Sequence, residues 1–227
     1  MKNKKEYYTD TKPEEEHGIV TSNKFSIKNS EDRRFIVIDN FYEDPEAVRE
    51  FALEQMYFDG EGAVGCRTRK QFLFEGVKEK FEEALNYKIS DHTDNGFGWK
   101  DQGINGRFQS CKGGTPQVFH CDSQRWAGVL YLTPNAPVQS GTSFYQHKGE
   151  KIFHNSQIDW EGGQGERVFN QNTFVDPTPY ERIDTVGNVF NRLVLFNSKQ
   201  YHASLDYFGS NKENGRLFQV FFFSTER

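Results

Sequence analysis

Apolar residues recur at helical spacing in two segments of the first half of the chain. The segment 44–57 opens with Asp44-Pro45-Glu46, which has the form of an N-cap, a first-turn proline and a first-turn acid. Its apolar positions are Val48, Phe51, Ala52 and Met56. The segment 74–86 separates its apolar positions with charged residues, and these positions are Val77, Phe81, Ala84 and Leu85. We predict two helices, each with one apolar face that packs on a sheet.

Short apolar runs bounded by turn residues replace this pattern from residue 97 onward, after one such run at residues 35–39. They predict strands around residues 107–109, 117–122, 126–132, 142–146, 189–196 and 215–224. Many short strands separated by glycine turns are typical of a sandwich or a barrel. The sequence therefore predicts one mainly β domain with flanking helices over residues 31–227. Residues 1–30 have too few apolar side chains for a core, and we expect them to form a flexible arm.

The composition narrows the classes of partner and compartment. The chain has a net charge of −5 with acidic and basic residues interspersed, so nucleic acid is not an expected partner. No apolar run is long enough for a membrane span, and the N-terminus lacks the apolar segment of a secretory signal. The three cysteines are an odd number without C-x-x-C spacing. We expect a cytoplasmic protein in a reducing compartment.

The most informative polar residues lie in the predicted strand 117–122. The period of two in a strand places His120 and Asp122 on one face and Cys121 on the other. An imidazole beside a carboxylate is two-thirds of the 2-His-1-carboxylate triad that holds non-haem Fe(II). His202, which follows the predicted strand 189–196, is the candidate third ligand. A second His-x-Asp pattern begins at His92, but it lies among turn-forming residues, and we expect it to be solvated.

Arg216 opens the last predicted strand, where alternation places it on the same face as Phe218, Val220 and Phe222. A buried guanidinium costs several kcal/mol without an anionic partner, so the pattern indicates either a paired carboxylate or a ligand that supplies one. The alternative is an arginine that faces water because the preceding turn breaks the period. Tyr131 lies among apolar residues and by itself fits the core better than a site.

The segment 148–188 is long, rich in Gly, Asn and Asp, and has no clear period. Segments of this kind are often lids or binding loops. We predict a mobile cover over the barrel mouth, with a plain surface insertion as the alternative.

In their order along the chain, these features resemble the Fe(II)- and 2-oxoglutarate-dependent oxygenases, particularly the prolyl-4-hydroxylase-like branch. The resemblance spans about residues 105–224 and rests on His120-x-Asp122, Val129-Leu130-Tyr131-Leu132-Thr133, Ser140-Gly141-Thr142-Ser143-Phe144, Arg192-Leu193-Val194-Leu195-Phe196 before His202, and Arg216. It implies a double-stranded β-helix, which is a jelly-roll barrel of two antiparallel sheets.

The resemblance also implies roles for single residues. His120, Asp122 and His202 would be iron ligands, Arg216 would bind the distal carboxylate of 2-oxoglutarate, and Tyr131 would assist it. The implied reaction converts 2-oxoglutarate and O2 into succinate and CO2 and usually hydroxylates a substrate, which would be a small molecule or a peptidyl side chain.

This chain departs from the family pattern in two places. The interval of 14 residues from His202 to Arg216 is longer than usual, and we attribute the excess to the turn from Gly209 to Gly215. The tyrosine that the family usually has ahead of the first metal strand is not evident, because Phe108-Gln109-Ser110-Cys111 occupies that region. The near side of the cosubstrate pocket is therefore undefined by the sequence.

Two other readings stay open at this point. The first is a non-enzymatic jelly-roll module that binds a sugar or a peptide and has structural histidines. The second is a cupin-like metalloenzyme that holds Zn(II) or Ni(II) and does not use 2-oxoglutarate. The sequence defines neither the substrate nor the oligomeric state.

Overall fold

The computed structural model of this protein describes residues 35–60, 64–101, 103–168 and 175–225. The arm predicted for residues 1–30 lies outside these ranges. In chain order the elements are β1 (Phe35–Ile38), α1 (Pro45–Glu54), β2 (Tyr57–Asp59), β3 (Cys66–Thr68), α2 (Val77–Leu85), β4 (Phe108–Cys111), β5 (Trp126–Tyr131), β6 (Thr142–His147), a 3-10 turn (Asn155–Gln157), α3 (Gln164–Val168), β7 (Tyr180–Val186), β8 (Leu193–Asn197), β9 (His202–Ser204) and β10 (Arg216–Phe223).

The described strands form two sheets. The larger sheet has seven strands in the order β1-β8-β5-β10-β4-β3-β2, and the smaller has three in the order β7-β6-β9. Every pairing within them is antiparallel. The predicted mainly β architecture with flanking helices is confirmed.

Strand alternation gives the larger sheet two apolar faces. On β10, Leu217 and Phe221 join the cluster that includes the helices, whereas Phe218 and Val220 join a second cluster with Phe144 of the smaller sheet. The second cluster fills the space between the two sheets. Arg216 has the same strand parity as Phe218, so its side chain belongs to this interior, as the sequence predicted.

The two predicted helices cover the outer face of the larger sheet. Asp44 caps α1 by accepting a hydrogen bond from the backbone N–H of Ala47 at 2.9 Å. The four apolar positions predicted for the second helix are all buried, and they are Val77, Phe81, Ala84 and Leu85. Helix α1 ends at Glu54, three residues before the predicted end, and Met56 is 76% exposed, so its place on the apolar face was predicted wrongly.

The segment 148–188 also differs from its prediction. Ile152, Ile158 and Val168 pack with Tyr145 and Tyr201 in a third cluster. This cluster lies on the outer face of the smaller sheet, because Tyr145 alternates with the interior residue Phe144 along β6. These buried residues therefore cover the back of the small sheet rather than the barrel mouth, and the segment also supplies β7. The mobility of the segment stays a prediction.

The described helices are all too short, or too polar, to span a bilayer.

We predict that Phe81→Ala destabilises the fold by about 3–5 kcal/mol, because loss of this buried ring leaves a cavity between α2 and the sheet. The ring contacts four other aromatic side chains, which are Phe41, Trp99, Phe221 and Phe223. Urea denaturation measures the free energy of unfolding. The control Met56→Ala should change it by less than about 0.5 kcal/mol. Similar losses in both variants would contradict this account of the core.

Candidate metal centre

Backbone pairing brings His120 next to His202, although they are 82 positions apart in the chain. The two residues form an isolated antiparallel bridge, with His120 N–H donating to His202 O at 3.1 Å and His202 N–H donating to His120 O at 3.0 Å. Asp122 N–H donates to Ser198 O at 2.9 Å. The predicted strand 117–122 is thus reduced to this bridge, which still places His120 and Asp122 toward one side.

The three candidate side chains converge in a partly accessible cluster. Asp122 Oδ1 lies 3.6 Å from His120 Nε2, and Asp122 Oδ2 lies 3.4 Å from His202 Nε2. The imidazole centroids are 4.3 Å apart, and one ligand atom from each of the three residues lies within 4.8 Å of the others. Among the described residues this is the one group of three or more His, Cys, Asp or Glu with metal-site spacing.

Hydrogen bonds on the far side of each ring fix which nitrogen faces the cluster. His120 Nδ1 lies 3.1 Å from Val118 O, and His202 Nδ1 lies 2.9 Å from Gln200 O. A carbonyl oxygen only accepts, so each Nδ1 carries a proton, and a ring with its single proton there presents the lone pair of Nε2 to the cluster. Histidine ligands of metals are oriented in this way.

The donor set fits a divalent cation. Two Nε2 lone pairs and a carboxylate converge, and Asp122 Oδ2 is buried without a hydrogen bond to any described residue. The separations of 3.4 and 3.6 Å exceed the roughly 2.7–2.9 Å of a charge-assisted hydrogen bond. Nitrogen and oxygen donors at these positions match the requirements of a 2-His-1-carboxylate iron site.

The electrostatics favour the protonation states that bind metal. Burial alone would raise the pKa of Asp122, but its hydrogen-bonding and electrostatic interaction with His202 is the main cause that outweighs burial and lowers that pKa. Burial lowers the pKa of His120, and the neighbouring His202 lowers it further. An ionised carboxylate beside a neutral imidazole is the form in which both groups coordinate a metal.

One side of the cluster is accessible. The His120 side chain is 37% exposed, whereas that of His202 is 8% exposed and packs against the Phe196 ring at 4.7 Å. Cys121 points to the other face, as predicted, and packs against the outer cluster. The rival His92 is exposed and lies 2.6 Å from Asp101, so the expectation that it is solvated and apart from the site is confirmed.

Arg216 is a second charged group in the interior. Its residue exposure is 0%, and Nη2 donates to Gly141 O at 3.2 Å. Nε and Nη1 are buried and make no hydrogen bond to the described residues. The alternative of an arginine that faces water at the strand mouth is therefore wrong.

Tyr131 and Gly141 shape the surroundings of this guanidinium. The buried Tyr131 hydroxyl donates to Thr142 Oγ1 at 2.8 Å, and its ring centroid lies 5.4 Å from the Arg216 guanidinium carbon. A side chain at position 141 would overlap the carbonyl oxygen of Val186. Glycine is therefore required there for the close approach that presents its own carbonyl oxygen to Arg216.

Sequence reasoning missed two further residues beside Arg216. Tyr207, from the loop before β10, has its ring centroid 5.6 Å from the Arg216 guanidinium carbon, and Cys111 packs in the same interior cluster. Alternation along β4 from the buried Phe108 could have placed Cys111 inside. No local pattern marks Tyr207. Arg192, in contrast, is paired bidentately with Asp39 at 2.6 and 2.9 Å.

Residues 112–223 match a family model described as a family of unknown function, DUF6445. No curated protein sequence matches the chain significantly.

Among solved structures, HygX from Streptomyces hygroscopicus with nickel, 2-oxoglutarate and hygromycin B bound is similar at a TM-score of 0.53 and 14% identity, over 85% of each chain. At this low identity the similarity concerns the fold alone, and the fold of this chain is a double-stranded β-helix. A Trichoplax adhaerens prolyl hydroxylase in complex with a hypoxia inducible factor peptide fragment reaches a TM-score of 0.43 at 14% identity, over 83% of each chain. A Pseudomonas putida prolyl-4-hydroxylase reaches 0.41 at 13% identity, over 86% of this chain and 95% of its own.

We predict that His120→Ala, Asp122→Ala and His202→Ala each abolish Fe(II) binding and leave the fold intact, because each removes one of three inward donors. Anaerobic calorimetric titration with Fe(II) measures affinity, and circular dichroism checks the fold.

The control for this series is His92→Ala, which should bind Fe(II) like the natural protein. Retained affinity in any one of the three variants would remove that residue from the ligand set.

Proposed function

We propose that this protein is an Fe(II)- and 2-oxoglutarate-dependent dioxygenase that hydroxylates a small-molecule or peptidyl substrate and releases succinate and CO2. His120, Asp122 and His202 would hold the metal, and Arg216 would hold the distal carboxylate of 2-oxoglutarate. The proposal takes residues 31–227 as one oxygenase domain. The similar fold of HygX, whose structure contains 2-oxoglutarate, supports the same class.

The burial of Arg216 carries the proposal. A fully buried guanidinium with two nitrogens lacking acceptors is costly, and no carboxylate among the described residues forms an ion pair with it. A ligand carboxylate would remove that cost through charge-assisted hydrogen bonds. A monocarboxylic or neutral ligand of the metal alone would leave Arg216 without this partner.

The spacing along β6 relates the arginine to the metal centre. Phe144 pairs with His202 across the small sheet, and Thr142, two residues earlier, bonds to Tyr131 beside Arg216. Two residues of a strand span about 7 Å. An extended five-carbon diacid covers such a distance, with its 2-oxoacid end at the metal and its far carboxylate at Arg216.

The chain's residues would orient the reactants and exclude water. When bound, Fe(II) supplies the activation of O2 and the oxidative decarboxylation of 2-oxoglutarate that lead to substrate hydroxylation. His120, Asp122 and His202 would hold the metal and leave it able to take up the 2-oxoacid and O2. The exposed side of His120 gives the substrate access, while Phe196 and Phe144 keep the inner side of His202 dry.

The two other readings explain less of the interior. A non-enzymatic jelly-roll module would have no use for two Nε2 lone pairs that converge on a buried carboxylate. A metalloenzyme without 2-oxoglutarate would need the same triad but would leave Arg216 unexplained.

We predict that Arg216→Lys weakens 2-oxoglutarate binding by about 10- to 150-fold, which corresponds to the loss of one charge-assisted contact worth about 1.5–3 kcal/mol. Fe(II) affinity should barely change, because Arg216 contacts the cosubstrate and not the metal. Anaerobic titration of 2-oxoglutarate into the Fe(II)-loaded protein measures the effect.

The matched control is Arg192→Lys, which alters an arginine already paired with Asp39 and should keep cosubstrate affinity. Unchanged affinity in Arg216→Lys would mean that a different group holds the carboxylate or that 2-oxoglutarate is not the cosubstrate.

A further inference from the structure

Three aromatic rings surround the Arg216 guanidinium. Its carbon lies 4.8 Å from the Phe218 ring centroid, 5.4 Å from that of Tyr131 and 5.6 Å from that of Tyr207. It donates a hydrogen bond to Gly141 O at 3.2 Å and also interacts with the Tyr131 hydroxyl. The position of the charge is therefore set by the three rings around it, which also favour a cation near their faces.

Tyr207 lies on a loop, whereas the other two rings belong to strands of the larger sheet. Phe218 and Tyr131 lie on β10 and β5, which pair with each other in register. Tyr207 lies on the loop between β9 and β10, the segment that makes the interval from His202 to Arg216 long. Tyr207 can therefore be replaced by another residue without a substitution in any strand of the sheet.

The loop that carries Tyr207 is fixed to the barrel. Gly113 N–H donates to Gly209 O at 2.9 Å, and Arg49 Nη2 donates to Glu213 O at 2.6 Å. Asn214 Oδ1 accepts from the backbone N–H groups of Ser210 and Asn211 at 2.8 and 3.1 Å. Before Tyr207, Leu205 N–H donates to Gly141 O at 3.0 Å, so the loop is anchored on both sides of the ring that lines the pocket.

The Tyr207 side chain is in contact with interior polar groups. Its hydroxyl interacts with Ser204 and with the thiol of Cys111. Burial raises the pKa of Tyr207 to about 12, so the phenol stays neutral at physiological pH. Its ring, rather than a charge, is what Arg216 meets on this side.

We infer that Tyr207 is a positioning residue that fixes Arg216 and thereby sets the length of the dicarboxylic 2-oxoacid that the pocket accepts. The inference rests on the proposed function. One end of the diacid is set by the triad, which backbone pairing holds in place, and the other by the guanidinium. If the Tyr207 ring is removed, Arg216 gains room to move toward the loop, and the pocket can then admit a chain longer by one methylene.

The experiment compares 2-oxoglutarate with 2-oxoadipate, which is one methylene longer. Dissociation constants for both are measured anaerobically on the Fe(II)-loaded full-length protein, for the natural chain, Tyr207→Ala, Tyr207→Phe and the control Tyr87→Ala. Tyr87 is a partly buried tyrosine packed on the helix side of the larger sheet. Fe(II) affinity is measured on the same samples, which shows that the triad is intact.

The natural protein should favour 2-oxoglutarate by about 10- to 200-fold, the discrimination that one methylene provides in a fitted pocket. Tyr207→Ala should reduce this ratio about tenfold or more, mainly through tighter 2-oxoadipate binding. Tyr207→Phe, which keeps the ring, and Tyr87→Ala should both retain the ratio. Tyr207→Leu repeats the test with an apolar side chain if the alanine variant does not fold.

An unchanged ratio in Tyr207→Ala or Tyr207→Leu, with normal 2-oxoglutarate binding by the natural protein, would overturn this inference alone. Failure of the natural protein to bind either diacid would instead overturn the proposed function and this inference with it. The ratio of the two dissociation constants is the informative readout, because a general loss of packing would weaken the binding of both diacids together.

Discussion

The backbone pairing of His120 with His202 is the interaction on which the candidate site depends. Two reciprocal hydrogen bonds join a short segment after β4 to the strand that precedes the last turn of the barrel. Without this pairing the two imidazoles would not lie next to each other, and Asp122 would not lie between their Nε2 atoms. The pairing costs the chain the closure of a loop of about 80 residues, and the two-sheet barrel provides the apolar burial that offsets this cost.

A second constraint is the placement of charge in an apolar interior. Asp122 and Arg216 both lie between the sheets, but they are not paired with each other in any ion pair among the described residues. A cation would satisfy the donors that converge around Asp122, and an anion would satisfy the buried nitrogens of Arg216 that make no hydrogen bond to the described residues. A metal at the first position and a diacid that reaches from it to the second would satisfy both groups at once.

Much of this arrangement could be predicted from local sequence patterns. The spacing of Val77 and Phe81 located α2, and alternation placed Arg216 inside, because helix and strand periods are properties of neighbouring residues. The pairing of His120 with Asp122 followed from a spacing of two, even though the predicted strand there is only a bridge.

The missed features depend on contacts between distant segments. The short strands β2, β3 and β9 contain three residues each, and β7 has an exposed polar pattern, so none has a clear period of its own. Ile152, Ile158 and Val168 are widely spaced and acquire their shared role only by packing on Tyr145 and Tyr201. Tyr207 joins the Arg216 pocket through a loop whose path is set by its anchors on Gly113 and Arg49. Such positions are fixed by tertiary structure, which single-chain periodicity does not encode.

The claim that one ligand joins the metal centre to Arg216 is tested most directly by anaerobic visible spectroscopy. Fe(II) is added to the protein first, and 2-oxoglutarate is added afterwards. The account predicts a weak charge-transfer band that appears only when both are present, saturates at one equivalent of each and is absent in Asp122→Ala. A natural protein that binds Fe(II) but gives no band with saturating 2-oxoglutarate would contradict the account.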